Sequence, residues 1–149
     1  MLIETMRFGP VEVDEGKLMT FPEGVLGFPK HRRFALLQTS PDPALFWLQS
    51  VEDPDLAFVV CDPQLFVPDY QVPIRKDDLE SLALHDVGDC QVLVIVNKVG
   101  GALTGNLLGP LLVNARTLTA RQLVLSDKRY STRHRLAPAR TPQTLAKTA

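Results

Sequence analysis

The chain has 149 residues, of which 45% are hydrophobic and 22% are charged, and its formal net charge is −1. This length favours one domain with a hydrophobic core of its own. The near-zero charge argues against a dedicated nucleic-acid binder, and no apolar run approaches the roughly 18 residues that a membrane-spanning helix needs.

The N-terminal sequence and the two cysteines indicate a cytoplasmic protein. MLIETMRFG carries an acid at position 4 and lacks the apolar segment of a secretory signal. Because thiols stay reduced in the cytosol, we expect Cys61 and Cys90 to be free thiols rather than a disulfide.

Twelve prolines and nine glycines recur at short intervals and separate short apolar segments. Proline breaks the interior of a helix, so this spacing excludes long helices and favours short strands joined by turns.

In the first half of the chain we predict six strands. They lie at residues 3–8, 11–13, 17–21, 34–39, 45–51 and 56–61, with the first turn at Gly9-Pro10 and the last strand in the centre of the sheet. FPEGVLGFP, residues 21–29, is predicted to be a loop held down by Phe21, Val25, Leu26 and Phe28.

In the second half, VPDYQVPI at residues 67–74 must be extended or turn-like because of its two prolines. One helix is predicted at residues 76–84, since Asp77 and Asp78 favour its first turn and Leu79 and Leu82 share a face. Strands are predicted at residues 91–99, 103–108, 111–114 and 121–125, and the last of these ends the sheet.

These elements predict an all-β class: a small antiparallel barrel-like or sandwich domain with one or two short helices. The domain spans residues 1–136. Residues 137–149 are rich in Ala, Thr and Pro with little to bury, and we predict a disordered tail.

No catalytic constellation is visible in the sequence. His31, His85 and His134 stand in polar or turn-like contexts without a GxSxG elbow, so we expect ordinary surface histidines and no enzyme activity. GALTGNLLGP lacks the GK[ST] ending of a phosphate loop, and neither CxxC nor HExxH occurs. We therefore expect neither a cofactor nor a metal.

Charge is distributed unevenly along the chain. Residues 51–90 contain ten acids and two bases, whereas residues 111–149 contain eight bases and one acid. If the fold separates these segments, one face attracts basic partners and another attracts acidic ones. The alternative, that both sets are scattered and solvated, stays open. DKRYSTRHR places Tyr130 among bases, as in nucleic-acid contacts, but the acidic middle segment would repel that ligand.

The acids are densest in LQSVEDPDLAFVVCDPQLFVPDY, residues 48–70, which contains no base. With catalytic and metal sites set aside, a surface for docking another protein is the remaining interpretation. The acids concerned are Glu52, Asp53, Asp55, Asp62 and Asp69.

This stretch resembles the FliW family of flagellar assembly factors, together with FPEGVLGFP, VLVIVN (92–97), TGNLLGPLLVN (104–114) and RQLVLSDKRYSTRHRL (121–136). The resemblance covers residues 2–136 in register, and one departure is Gly109, where we expect alanine. The family-motif residues that we single out are Gln49, Phe58, Pro63, Asn106, Pro110 and Asn114.

The resemblance implies a cytoplasmic, non-catalytic protein with an antiparallel β-barrel-like fold. Proteins of this family bind newly made flagellin and also CsrA, an RNA-binding repressor of translation. CsrA held in this way cannot repress flagellin mRNA. Flagellin that accumulates displaces CsrA, and secretion of flagellin restarts the cycle.

Two site hypotheses follow from the resemblance. An RNA-binding repressor presents basic surface to phosphates, so the five acids are candidates for docking CsrA. The amphipathic terminal segments of flagellin would require an apolar groove, for which Trp47, Phe66 and Tyr70 are candidates. Direct binding of nucleic acid or membrane is not expected.

Two alternatives remain open. One is a flagellin chaperone without CsrA control. The other is a small-molecule-binding β-barrel, which would need a large apolar pocket with convergent polar groups. The available amides, at Gln49, Asn97, Asn106 and Asn114, are instead expected to tie turns or sheet edges.

Overall fold

The structure, a computed structural model, describes residues 1–38 and 42–136. The predicted disordered tail lies outside the described residues, as does part of the turn between the strands predicted at 34–39 and 45–51. The described part confirms a mainly β fold. Its strands are β1 (Leu2–Thr5), β2 (Gly9–Glu12), β3 (Met19–Thr20), β4 (Arg33–Leu37), β5 (Leu45–Ser50), β6 (Ala57–Cys61), β7 (Cys90–Val99), β8 (Ala102–Gly105), β9 (Leu111–Asn114), β10 (Ala120–Gln122) and β11 (His134–Arg135). The helix α1 spans Lys76–Ser81, and single 3₁₀ turns occupy Glu15–Lys17, Pro63–Leu65 and Val87–Asp89.

The main sheet is antiparallel, with strand order β10-β9-β7-β6-β5-β4-β3, so β6 is central as predicted. It curls until its two edges meet at one bridge between Thr20 and Thr119. The backbone N–H of Thr20 donates to the carbonyl of Leu118 at 2.9 Å and fixes this closure. β8 pairs with the C-terminal half of β7, and β11 pairs with β8.

Alternation along the strands fills the interior of the curled sheet. Side chains two positions apart point to the same face, and the inward set includes Phe34, Leu48, Val60, Leu111 and Val113, each at most 1% exposed. Full burial of such a side chain contributes about 1.5–3 kcal/mol, so this set supplies much of the driving force for curling.

Three further layers cover the outer face of the sheet. The β1–β2 hairpin packs through Ile3 on β4 and β5. The segment after β6 and the C-terminal residues pack through Phe66, Tyr70 and Leu136 on β6 and β7. The α1 region packs through Leu82 on β9 and the chain after β10.

The predicted turn at Gly9-Pro10 is wrong, because both residues belong to β2. The hairpin turns instead over residues 6–8, with Thr5 paired to Gly9. Thr5 Oγ1 accepts from Phe8 N at 2.9 Å and donates to the Gly9 carbonyl at 2.7 Å. Gly9 has φ +65°, the left-handed conformation that commonly closes a three-residue hairpin loop.

The predicted helix begins as expected at Lys76 but ends at Ser81 rather than at residue 84. Ala83 takes φ 51°, which stops the helix, and Leu84 N donates back to the Leu79 carbonyl at 2.8 Å. This reversal buries Leu82 and Leu84 in one cluster with Leu112 and Leu123.

Two smaller expectations also fail. The sheet does not end near residue 125, since β11 adds a two-residue strand at His134–Arg135. In the 21–29 loop, Phe21 and Val25 are buried as predicted, but Leu26 is 57% exposed.

Candidate functional site

Three of the predicted docking acids lie in the turn between β5 and β6, which we call the first acidic turn (Glu52, Asp53 and Asp55). Glu52 Oε1 accepts from Arg33 N at 3.2 Å and lies 3.6 Å from Arg33 Nε. Asp53 Oδ1 accepts from Asp55 N at 2.9 Å, and its Oδ2 lies 3.7 Å from Nε2 of His31. Glu52 and Asp53 thus help to build the turn, while the Asp55 side chain is exposed.

The other two acids, Asp62 and Asp69, flank the segment after β6, which we call the second acidic turn. Asp62 caps the 3₁₀ turn at Pro63–Leu65 by accepting from Gln64 N at 3.0 Å, and its side chain stays exposed. Asp69 is exposed, and its charge adds to the hydrogen bond and charge of Asp127, which are the main reasons that the pKa of Arg129 is raised.

The two acidic turns lie at opposite ends of β6, so the five acids form two separate clusters, and their role in docking stays a prediction. Six residues separate Asp55 from Asp62, five of them in β6, so at about 3.3 Å per residue the backbone positions of the two acids lie roughly 20 Å apart. Because β6 is extended, residues before it and residues after it lie at opposite ends of the sheet and do not share one surface patch.

The basic C-terminal segment lies against the acidic middle segment rather than apart from it. Arg121 Nη1 is 3.8 Å from Asp78 Oδ1, and Arg116 Nε is 3.8 Å from Asp89 Oδ2. Of the two interpretations of the charge pattern, the structure favours interleaved charges over two opposed faces.

The three aromatics proposed for a flagellin groove do not form one. Tyr70 is 2% exposed, and its hydroxyl donates to the Leu107 carbonyl at 2.7 Å. Phe66 is also buried in the layer outside β6 and β7. Trp47 lies elsewhere, beneath the Arg7 guanidinium at 4.4 Å, because the β1–β2 hairpin covers that part of β5.

Tyr130, the aromatic residue of the basic segment, is engaged within the protein. Its ring makes edge contacts with Tyr70 at 5.1 Å and His134 at 5.6 Å between centroids. The Arg129 guanidinium also lies over the ring, 5.2 Å from its centroid, on a face that a stacked base would need.

A pocket of about 920 Å³ opens at the end of the barrel that carries Asp62, and the sequence analysis did not identify it. Its floor consists of side chains of the interior cluster, Met19, Phe46, Leu93 and Leu118, and Leu36, which is 40% exposed, lies at its rim. Polar side chains surround the opening, namely Lys17, Asp62, Gln64, Gln71 and Gln91. Strand periodicity assigns the floor residues to the core, and it does not show whether loops close that end of the barrel.

Two of the four amides expected to tie turns, Gln49 and Asn114, do so. Gln49 is fully buried and holds the first acidic turn from below. Asn114 Nδ2 donates to the Leu82 carbonyl and its Oδ1 accepts from Arg116 N, both at 2.9 Å, so it joins the end of α1 to the β9–β10 turn. Asn97 is exposed at the β7–β8 hairpin.

The remaining motif residues are also structural. Phe58 makes an edge contact with Phe28, Pro63 is buried, and the Pro110 carbonyl accepts from Leu123 N at 2.9 Å. Asn106 lies next to Gly109, the position where alanine was expected.

Gly109 is in contact with two side-chain amides. A methyl group there would lie 2.7 Å from Asn106 Nδ2 and 2.9 Å from Gln122 Nε2. Gln122 Nε2 donates to the Gly109 carbonyl at 3.0 Å, and its Oε1 accepts from Leu26 N at 2.8 Å. The glycine therefore leaves room for an amide that fastens the 21–29 loop to β10.

Both cysteines are free thiols, and burial raises the pKa of each, to about 12 for Cys61. Of the histidines, His85 is exposed, but His31 is half-buried against Phe28 and is not an ordinary surface residue. Among residues 1–38 and 42–136 no group of three His, Cys, Asp or Glu side chains is arranged to hold a metal ion. Within the same residues, no helix has the length and apolarity to cross a membrane.

Comparison with known proteins gives one consistent result. The family model described as FliW protein matches residues 2–136. The flagellar assembly factor FliW of Leptospira interrogans is 36% identical over 137 residues, which cover 90% of this chain and 91% of that protein. Those of Geobacter sulfurreducens and Bdellovibrio bacteriovorus are 39% and 41% identical and cover 90% and 89% of the chain, and 85% and 77% of their own lengths. A crystal structure of the flagellar assembly factor FliW superposes with a TM-score of 0.83 at 31% identity, covering 93% of this chain and 98% of that one.

Proposed function

The chain belongs to the FliW family of flagellar assembly factors, and from this we propose that it binds flagellin and the translational repressor CsrA in the cytoplasm, without catalysing a reaction. The observation that carries the proposal is the family match over residues 2–136. In the proposed cycle, CsrA bound to this protein cannot repress flagellin mRNA, and accumulating flagellin releases it.

The two acidic turns support the CsrA half of the proposal. A protein that binds RNA presents basic groups to phosphates, and exposed carboxylates complement them and speed the encounter. Glu52, Asp55, Asp62 and Asp69 are exposed, and of these Glu52 is already engaged by Arg33. Because they lie at both ends of β6, CsrA either spans the strand or uses one end only.

A calorimetric titration with CsrA tests the proposal, using a variant that removes three charges without removing hydrogen-bond acceptors. Asp55→Asn/Asp62→Asn/Asp69→Asn keeps the capping oxygen of residue 62. We expect its affinity for CsrA to fall at least tenfold, because three favourable charge interactions are lost. The matched control, Glu4→Gln/Glu15→Gln/Glu80→Gln, removes three exposed acids elsewhere and should stay within twofold of the wild type.

The same titration repeated with saturating flagellin tests the switch. Loss of CsrA binding in the presence of flagellin is the expected result. Binding of flagellin but not CsrA by the wild type would favour the chaperone alternative, and binding of neither would refute the proposal. Equal affinities of the acidic-turn and control variants would refute only the role of the acids.

A second candidate function, binding a small molecule, is favoured by the pocket at the open end of the barrel. Its volume of about 920 Å³ is within the range of roughly 300–1,000 Å³ typical of ligand sites. Native mass spectrometry of the purified protein tests it. A bound small molecule that Leu36→Glu removes would support this function, and an unliganded wild type would count against it.

A further inference from the structure

One edge of the main sheet is unpaired. Within residues 1–38 and 42–136, β10 has β9 as its only strand neighbour, apart from the bridge of Thr119 to Thr20. The chain continues extended beyond β10, since Leu123 N donates to Pro110 O at 2.9 Å and Leu125 N donates to Leu108 O at 2.7 Å. The edge therefore runs from residue 120 to residue 125.

The backbone groups of this edge alternate in direction. In an antiparallel pair, every second residue directs both its N–H and its C=O toward the neighbouring strand. Leu123 and Leu125 do so here, which directs the N–H and C=O groups of Gln122 and Val124 away from β9. Val124 is also 74% exposed, the largest exposed fraction among the exposed large hydrophobic side chains of the described residues.

Two cavities adjoin along this edge and share Arg121 and Gln122 in their linings. The first, about 230 Å³, lies at Ala120–Gln122 between the 21–29 loop and the end of α1. The second, about 580 Å³, lies along residues 121–127 beside Pro73, Arg75 and Asp78. Together they form a channel beside the unpaired edge, which we call the edge groove.

The unpaired backbone groups and apolar walls of the edge groove indicate what kind of ligand it can bind. Alternating unpaired N–H and C=O groups are best matched by the backbone of an extended peptide, which adds to a sheet edge as a further strand. The smaller cavity has apolar walls, including Pro22, Val25, Leu26 and Leu82, and suits an apolar side chain.

The edge groove carries little net charge. Arg75 and Arg121 line the larger cavity together with Asp78 and Asp127, and Glu23 lines the smaller one. Arg121 is held by Asp78 and by Ser81 Oγ at 3.1 Å. Two bases against three acids attract a strongly basic surface only weakly, so the two acidic turns are the better match for an RNA-binding repressor. The groove suits a segment that binds through its backbone and apolar side chains.

We propose that the edge groove receives an extended segment of unassembled flagellin as an added strand beside residues 120–125. This inference rests on the proposed function, which supplies flagellin as a partner. A terminal segment that is not yet assembled can become ordered on binding, and an exposed sheet edge would order it as a strand. The proposal places flagellin at the edge groove and leaves the acidic turns to CsrA.

Calorimetric titration of Val124 variants with flagellin tests the proposal. Val124→Pro removes an outward N–H that has no partner within the described residues, and its ring blocks the approach of a strand. Val124→Lys places a charge on the same edge. We expect at least a tenfold loss of flagellin affinity for both variants, with CsrA affinity unchanged. The control, Val99→Lys, changes another exposed valine, at the β7–β8 hairpin, and should bind flagellin like the wild type.

Hydrogen exchange of the wild-type protein gives a test that does not depend on variants. Saturation with flagellin should slow exchange of the Gln122 and Val124 amides at least tenfold. If Val124→Pro bound flagellin as tightly as the wild type, or if exchange at both amides were unchanged in the complex, the edge groove would not be the flagellin site. The proposed function would remain intact. Failure of the wild type to bind flagellin would overturn both.

Discussion

At the scale of single residues, Gln49 shows how a buried amide supports an exposed turn. The side chain is fully buried, and its Nε2 lies 3.1–3.3 Å from the carbonyls of Ser50, Asp53, Pro54 and Leu56. Those carbonyls belong to the turn that carries Glu52, Asp53 and Asp55, so one amide fixes the backbone beneath all three acids.

We predict that Gln49→Leu lowers the free energy of unfolding by about 1–3 kcal/mol, measured by urea denaturation. Leucine fills a similar volume but cannot donate, so the two amide N–H groups of Nε2 are lost, each worth about 0.5–1.5 kcal/mol. The carbonyls of Asp53, Pro54 and Leu56 keep their backbone donors. Gln71→Leu changes an exposed glutamine and should alter stability by less than about 0.5 kcal/mol. Equal effects of the two substitutions would contradict the supporting role of Gln49.

At the scale of the secondary-structure element, α1 is terminated by a strained residue. Ala83 follows the helix with φ 51°, in the position where glycine commonly ends a helix. An L-residue in this conformation costs roughly 1–2 kcal/mol. The strain is maintained because Leu82 and Leu84 on either side are 1% and 8% exposed and pack beneath the helix.

We predict that Ala83→Gly raises the free energy of unfolding by about 0.5–1 kcal/mol. Relief of the left-handed strain exceeds the backbone entropy that glycine adds to the unfolded chain. Ala115→Gly is the control, because Ala115 is exposed and is not among the residues with positive φ. Ala115→Gly should be neutral or destabilising in the same thermal or urea melt. If Ala83→Gly also lowered the free energy of unfolding, backbone strain at residue 83 would be refuted.

At the scale of the whole molecule, the layer outside β6 and β7 contains groups that resist ionisation. Burial raises the pKa of Cys61 from 9.0 to about 12, and it raises the pKa of the Tyr70 hydroxyl as well. The unfolded chain therefore releases protons above pH 9 that the folded chain retains. Stability is full below the unfolded pKa of 9.0 and declines as the pH rises toward 12.

We predict that the urea midpoint of the wild type falls between about pH 8 and pH 10.5, since burial opposes the thiolate in this range. Cys61→Val preserves an apolar side chain of similar size and removes the thiol, so its midpoint should fall less over the same interval. Both proteins retain Tyr70, so the difference between their slopes of urea midpoint against pH reports the contribution of Cys61 alone. Parallel slopes would show that Cys61 does not contribute to the alkaline loss of stability.

The distribution of charge over the surface is also a property of the whole molecule. Sequence segments of opposite charge suggested two faces, yet Arg121 lies beside Asp78 and Arg116 beside Asp89. Segments distant in sequence become neighbours when β9 and β10 pair beside β7, so charge counted along the chain does not predict charge on the surface.

The sequence by itself determined the fold class and the positions of most strands. Proline and glycine spacing together with two-residue alternation act locally, so they are visible without any tertiary contact. The family resemblance over residues 2–136 was likewise readable from linear motifs, and the comparisons bear it out. Gln49 and Asn114 were assigned to turns correctly because buried amides have few other roles.

Only the tertiary structure decided which side chains are available to a partner. It separated the acids to the two ends of β6 and buried Phe66 and Tyr70. Within residues 1–38 and 42–136, it also left the outer edge of β10 without a neighbouring strand. Availability depends on which layer covers which part of the sheet, and that depends on contacts between segments far apart in sequence. Local pattern can place a residue on a strand, but only the packing of the other layers determines whether its side chain or its backbone remains exposed.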